Sequence, residues 1–177
     1  FFFVRYNYVM HNPVVKEIIK AAASAPSVAN SQPWFFSSTN STIYVHLDKK
    51  RADSFGNAGN TVSYINFGAV IENIIIAAHN FGFDTKLLFF PEDKTDSIIV
   101  QIDLVKVTHV DSSLFEFIFK RHTNRRPFKR EPIPALISKS LIDIADSFKG
   151  SHLYWINDQP TINRLALLIK QTDTIMY

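Results

Sequence analysis

The residues best suited to chemistry cluster in one short run, Arg121-His-Thr-Asn-Arg-Arg-Pro-Phe-Lys-Arg130. Five of its ten positions are Lys or Arg, although the 177-residue chain carries a formal net charge of only +3. Positive charge is therefore focused at one junction between two apolar segments, residues 114–119 and 133–148. Arginine offers planar, paired donors that match phosphate oxygens, so the run suits a small, multiply charged anion. The Thr123 hydroxyl and the Asn124 amide add neutral donors, and Pro127 fixes the backbone behind them. The plainer reading of the same run is a solvated basic turn between two helices. A nucleic-acid patch is disfavoured, because the aromatics do not interleave with the charges as a stacking platform requires.

A second stretch, Ala21-Ala-Ala-Ser-Ala-Pro-Ser-Val-Ala-Asn-Ser-Gln-Pro-Trp34, joins a helix end to a loop of small side chains and backbone donors. Small residues let a flat ring approach the main chain closely. Ser27, Asn30, Ser31 and Gln32 supply polar groups for a ring edge rich in nitrogen and oxygen. The plainer alternative is a helix-terminating loop that carries Trp34 into the core, and for Trp34 alone that alternative is preferred.

Other chemistries are excluded or left without support. The chain has no Cys, which removes disulfides, thiolate nucleophiles and Cys-ligated zinc and fits a reducing, cytoplasmic setting. Its six His residues form no HxH or HxxxH pair, so no metal site is expected. No catalytic triad or carboxylate pair stands out. The longest apolar stretch, residues 67–83, is interrupted by Glu72, Asn73, His79 and Asn80, and is not expected to span a membrane. With 46% hydrophobic and 20% charged residues, the sequence is that of a globular domain, and its 16 Phe demand burial or a large apolar partner. The opening Phe1-Phe-Phe-Val4 has neither Met nor a signal-peptide pattern, and the chain reads as a segment of a longer polypeptide.

The elements that position these stretches follow from periodicity. Asn12-Pro13 starts a helix that runs to about Ala25, before Pro26. Residues 34–38 and 42–47 read as strands about a Thr39-Asn40-Ser41 turn. Residues 48–60 form a connection or a short helix. Residues 61–81 repeat at helical spacing and are apolar on nearly all sides, which predicts a central, buried helix ended by Gly82. Residues 85–90 and 97–107 read as a hairpin or two adjacent strands across the charged turn 91–96. Asp111 is expected to cap a helix through Phe119, and residues 133–148 form another with an apolar face. His152 to Ile156 reads as a strand, and Asp158-Gln-Pro160 opens a last helix. The helix–strand–turn order of residues 13–48 is echoed weakly at 134–158, a hint of duplication.

These motifs carry a resemblance. Ser24-Ala-Pro-Ser-Val-Ala-Asn-Ser-Gln-Pro-Trp34 resembles the APSxxNxQPW signature of the FMN-dependent nitroreductase superfamily. Phe67-Gly-Ala-Val-Ile-Glu-Asn-Ile-Ile-Ile-Ala-Ala78 is similar to that family's central helix. Arg121-His-Thr-Asn-Arg-Arg-Pro-Phe128 is similar to the Arg motif with which ordinary members begin. Here the Arg motif follows the Pro-Ser loop instead of preceding it. That order resembles the Acg-type branch, in which two nitroreductase-like halves are fused into a single-chain pseudo-dimer.

The resemblance implies an α+β, nitroreductase-like fold: a mixed or antiparallel sheet packed by helices around a long central buried helix. It implies a first half over residues 12–120 and the start of a second over 121–177. One FMN would lie between Arg121, Thr123 and Arg125 of the second half and Pro26, Ser27, Val28 and Asn30 of the first. The first half begins Phe-Phe-Phe-Val-Arg-Tyr-Asn-Tyr8, without an Arg motif, and the second half lacks the Pro-Ser loop, so at most one flavin per chain is expected. NAD(P)H would be the electron donor and a small electron-poor molecule, a nitroaromatic or quinone, the acceptor. No catalytic side chain, nucleic acid or membrane is called for. The assembly would be the pseudo-dimer of a full-length chain or a homodimer. The alternative is a non-catalytic protein that binds and sequesters FMN.

Overall fold

The structure is a computed structural model that describes residues 12–91, 97–109, 111–127, 129 and 131–176. The chain divides into two compact units, Phe1–Thr123 and Asn124–Tyr177.

In the first unit, helix α1 (Pro13–Ala23) starts where the Asn12 side chain accepts the Val14 N–H at 3.0 Å, with proline at its first position. Val15, Ile18, Ile19 and Ala22 recur on one face and are all buried. The helix stops two residues short of Ala25. The Ser24 hydroxyl turns back onto the Lys20 carbonyl at 3.2 Å, and the Ser24 N–H caps Ala21 at 3.1 Å.

Four strands form one antiparallel sheet: β1 (Trp34–Ser38), β2 (Thr42–Leu47), β3 (Phe83–Phe89) and β4 (Ile98–Lys106), in the order β1-β2-β4-β3. β3 and β4 are the expected adjacent pair; residues 92–96 of their connection lie outside the described residues. Alternation divides the sheet into two faces. Phe36 pairs with Val45 and Val45 with Val100, while Ile43 pairs with Ile102, and all five are at most 1% exposed. This face joins α1 and helix α3 (Thr61–Asn80) in one hydrophobic core. The other face is more polar. Phe35 stacks on His46 at 4.4 Å, and Thr42 donates to the Asp103 carboxylate at 2.8 Å.

Between β2 and α3, the short helix α2 (Lys49–Ala52) is capped by the Asp48 side chain. Asn57 then forms a buried latch. Its Nδ2 donates to the Ala52 carbonyl (2.6 Å) and the Ser63 hydroxyl (2.8 Å), and its Oδ1 accepts the Ser63 N–H (3.1 Å). α3 buries Ser63, Asn66, Phe67, Val70, Ile71, Ile74, Ala77 and Ala78. It is less enclosed than its composition predicts: Tyr64, Ile65, Gly68 and Glu72 form an exposed stripe, with Ile65 at 69%. The sheet and α1 cover only part of a helix cylinder, which leaves that side open. By length and composition alone α3 could cross a membrane, but in this structure its apolar face is core. Gly82 ends it with φ +78°.

Helix α4 (Phe115–Lys120) closes the unit, with Ile118 buried and Phe115 edge-on to Phe81 at 5.9 Å. Asp111 does not cap it as expected. Its carboxylate accepts the Ser113 N–H at 2.8 Å in a tight turn, and Leu114 occupies the cap position.

The second unit contains α5 (Ala135–Ser147) and α6 (Gln159–Met176). α6 starts where the Asp158 side chain accepts the Thr161 N–H at 2.9 Å. The expected strand at 152–156 is absent. A strand needs a ladder partner for its backbone groups, and this unit has no strand among its described residues. The apolar face read at 133–148 is present on α5, but Leu136, Ile137, Leu141, Ile144 and Phe148 are all exposed.

Candidate functional site

The loop from α1 to β1 is the most conformationally specified segment of the first unit. Val28–Asn30 forms one turn of 3-10 type. Ala29 (φ 53°), Asn30 (φ 54°) and Gln32 (φ 45°) all lie in the left-handed region. That region costs a non-glycine residue roughly 1–2 kcal/mol, with Asn the most tolerant of the three. Such a backbone persists only where its surroundings over-determine it.

The surroundings here are specific. The Asn30 N–H donates to the Ser27 carbonyl at 3.0 Å, and the Ser31 N–H to the Val28 carbonyl at 3.1 Å. The Gln32 N–H donates to the Ser27 hydroxyl oxygen at 3.0 Å. The Arg51 guanidinium donates to the Gln32 carbonyl at 3.2 Å and lies 3.7 Å from the Asp48 carboxylate. From the core side, the Val28 N–H donates to Oδ1 of Asn66 on α3 at 3.1 Å.

Of the loop residues singled out in the sequence, Pro26, Val28 and Asn30 are exposed and Ser27 is half-buried. Val28 reaches 57% exposure while its backbone is held from beneath. Trp34, 6% exposed, carries the loop's end into the core, as the plainer reading of that residue held.

The basic run straddles the division of the chain. Arg121 and Thr123 end the first unit, and Arg125 lies in the second. All three side chains are exposed. The Arg121 N–H closes α4 on the Phe117 carbonyl at 2.9 Å. The Asn124 side-chain oxygen accepts the Arg126 N–H at 3.0 Å, which orients the amide and is compatible with its NH₂ serving as the donor expected from the sequence. Phe128 and Arg130 lie outside the described residues.

Periodicity did not single out Asn66, which is 4% exposed. The available signal was an amide at helical spacing from Ser63 and Val70, on the face that proves buried. Among the described buried side chains, its Nδ2 is the one polar atom without a hydrogen-bond partner. Asn73, inside the central-helix motif, donates to the Ala21 carbonyl at 3.0 Å.

On the polar sheet face, His46 bonds Ser37 through Nε2 (2.8 Å) and Ser97 through Nδ1 (3.2 Å), and burial holds its pKa below the usual imidazole value. The described contacts of this Ser–His pair include no carboxylate on the ring, and no nucleophilic site is assigned to it. No group of three or more potential metal ligands occurs among the described residues.

By class, the first unit is an α+β domain: an antiparallel four-stranded sheet backed by a long central helix. No protein-family profile matches the chain. By sequence it is similar to two Mycobacterium tuberculosis proteins. One, provisionally named the NAD(P)H nitroreductase Acg, is 28% identical over 131 residues, 72% of this chain and 40% of that protein. The other, an uncharacterized protein, is 24% identical over 140 residues, 75% of this chain and 41% of that protein. The chain thus spans about two fifths of the length of the curated relatives it matches. A solved FMN complex from Desulfovibrio desulfuricans, provisionally a nitroreductase, aligns over 73% of this chain and 91% of that one, at 19% identity and a TM-score of 0.46. The sequence similarity supports the nitroreductase superfamily, the family that the Pro-Ser loop resembles.

Proposed function

We propose that this chain is the FMN-binding portion of a nitroreductase-type NAD(P)H oxidoreductase. Residues 12–120 form its first nitroreductase-like half, and residues 121–177 begin the second within a pseudo-dimer. The observation that carries the reading is the loop at Pro26, Ser27, Val28 and Asn30. Its motif matches a flavin-binding signature, and its strained backbone is fastened from several sides. Strain held in place by the fold is characteristic of ligand clamps.

The donor set fits a flavin. Small side chains at Ser27 and Ala29 let a flat ring approach the main chain, and the buried Nδ2 of Asn66 is an uncommitted donor beside the loop. When bound, FMN would supply hydride chemistry between NAD(P)H and an electron-poor acceptor such as a nitroaromatic or quinone. The chain's own part is placement and electrostatics. Arg121 and Arg125 would neutralise the phosphate with charge-assisted hydrogen bonds, and the Thr123 hydroxyl would add a neutral donor. The Pro26–Asn30 backbone would be the surface on which the ring rests. No side-chain acid, base or nucleophile is required.

The test is to add NAD(P)H anaerobically to the protein purified with its flavin and to follow the visible flavin band. Bleaching, with recovery on adding a quinone, is expected. A yellow protein that does not bleach would instead be a flavin-sequestering protein. A protein that neither retains nor takes up FMN would overturn the flavin reading.

A further inference from the structure

We infer that Asn66 is the positioning residue of the Pro26–Asn30 loop: its Oδ1 fixes Val28, and its Nδ2 is the donor reserved for an acceptor on the bound cofactor. The second part rests on the flavin reading; the first does not.

The Val28 N–H donates to Oδ1 at 3.1 Å across 38 residues of chain. This contact fixes the orientation of the amide, because a flipped side chain would set two donors against each other. Val28 is the first residue of the turn, and the next two residues, Ala29 and Asn30, are left-handed. The contact therefore lies where the strained segment begins and ties it to the rigid central helix. Without it, the Val28 N–H would be unpaired and the turn would lose its attachment to the core.

The other end of the amide is harder to explain by folding alone. Nδ2 is buried and unpartnered, and an unpaired buried donor costs free energy. If holding Val28 were the sole task, a serine or threonine hydroxyl could accept that N–H and turn its own proton elsewhere. Asparagine adds two N–H donors that the folded chain leaves unused. Both amide atoms are bonded to one carbon, so the free donor lies beside the loop that Oδ1 holds. A ring seated on that loop brings carbonyl and ring-nitrogen acceptors to it.

Two variants separate the two ends. Asn66→Leu is near-isosteric and removes both; Asn66→Asp keeps an acceptor for Val28 and, when ionised, removes the donors. Two quantities are read on the full chain: amide exchange at Val28 by NMR without flavin, and FMN affinity by fluorescence titration. The expected result is faster Val28 exchange in Asn66→Leu and near wild-type exchange in Asn66→Asp. FMN affinity should fall roughly tenfold in both, from loss of one hydrogen bond. The Asp loss should persist at high salt, where long-range charge repulsion is screened. On acidification, the Asp variant should regain affinity relative to wild type as its carboxyl becomes a donor.

Unchanged Val28 exchange in Asn66→Leu would overturn the positioning role. Wild-type FMN affinity in ionised Asn66→Asp would overturn the donor role. If Asn66→Leu does not fold, Asn66→Asp still decides the donor role, and Asn66→Ala, which removes both ends without adding bulk, takes its place in the exchange measurement with the same expected result, faster Val28 exchange. If wild-type protein takes up no FMN, the flavin reading and the donor role fall together, and the exchange data still decide whether Asn66 holds the loop.

Discussion

The side-chain amide of Asn73 donates to the backbone carbonyl of Ala21 at 3.0 Å, joining the middle of α3 to the last turn of α1. The two helices are 52 residues apart at this contact, and α1 leads directly into the Pro26–Asn30 loop. The Ala21 carbonyl also accepts the Ser24 N–H, so truncating Asn73 leaves no orphaned acceptor. Asn73→Ala should therefore cost about 1 kcal/mol of unfolding free energy, the net worth of one hydrogen bond. Urea unfolding of variant and parent measures it, and a cost several times larger would mean that the contact anchors more than two helices.

Asn57 should be the more sensitive amide. It makes three buried hydrogen bonds, and its Oδ1 is the acceptor for the Ser63 N–H in the first turn of α3. Asn57→Ala strands that N–H and the Ala52 carbonyl together, for a loss of about 2–4 kcal/mol. The same unfolding experiment should rank Asn57→Ala below Asn73→Ala in stability.

His46 gives the first unit an acid sensitivity. Burial lowers its folded pKa beneath the unfolded value of 6.5, so the unfolded state takes up the proton first. Its contribution to stability is fully present above pH 6.5 and is lost as the pH falls through the folded pKa. Unfolding free energies measured on both sides of pH 6.5 should fall on the acid side, and His46→Gln should flatten that slope.

The basic run should act through selected residues and not through net charge. If Arg121, Thr123 and Arg125 hold a phosphate, Arg125→Ala weakens FMN binding by roughly tenfold or more, the loss of a charge-assisted hydrogen bond. Lys129 lies outside the motif, is exposed and sits 3.8 Å from Glu131, so Lys129→Ala should have a far smaller effect. Fluorescence titration of both variants is the measurement. Equal losses would reduce the run to a general cationic field.

Most of the secondary structure follows from local signals. Asn12-Pro13 and Asp158 act through their own side chains on the next few backbone groups, which makes such starts visible in sequence; Asp48 caps α2 in the same way, where composition left a connection or a short helix open. Strand alternation around Phe36, Val45 and Val100 and the helical spacing of Val70, Ile74 and Ala77 are equally local. The failures mark the limit of that information. Leu153 to Ile156 has the composition of a strand, but strand formation depends on a partner elsewhere in the chain. Asp111 could equally close a turn or cap a helix, and in the structure it closes the turn on the Ser113 N–H.

The sequence by itself determined the α+β character, the order of the main elements in the first unit and the two stretches worth testing, because periodicity, caps and motifs are carried by neighbouring residues. Only the tertiary structure decided which amides matter. Asn57, Asn66 and Asn73 are the same residue type on or beside one helix, yet one latches the helix start, one holds a strained loop and one ties a second helix. A hydrogen bond joining positions 38 or 52 residues apart depends on where the chain returns in space, and no local pattern encodes that distance.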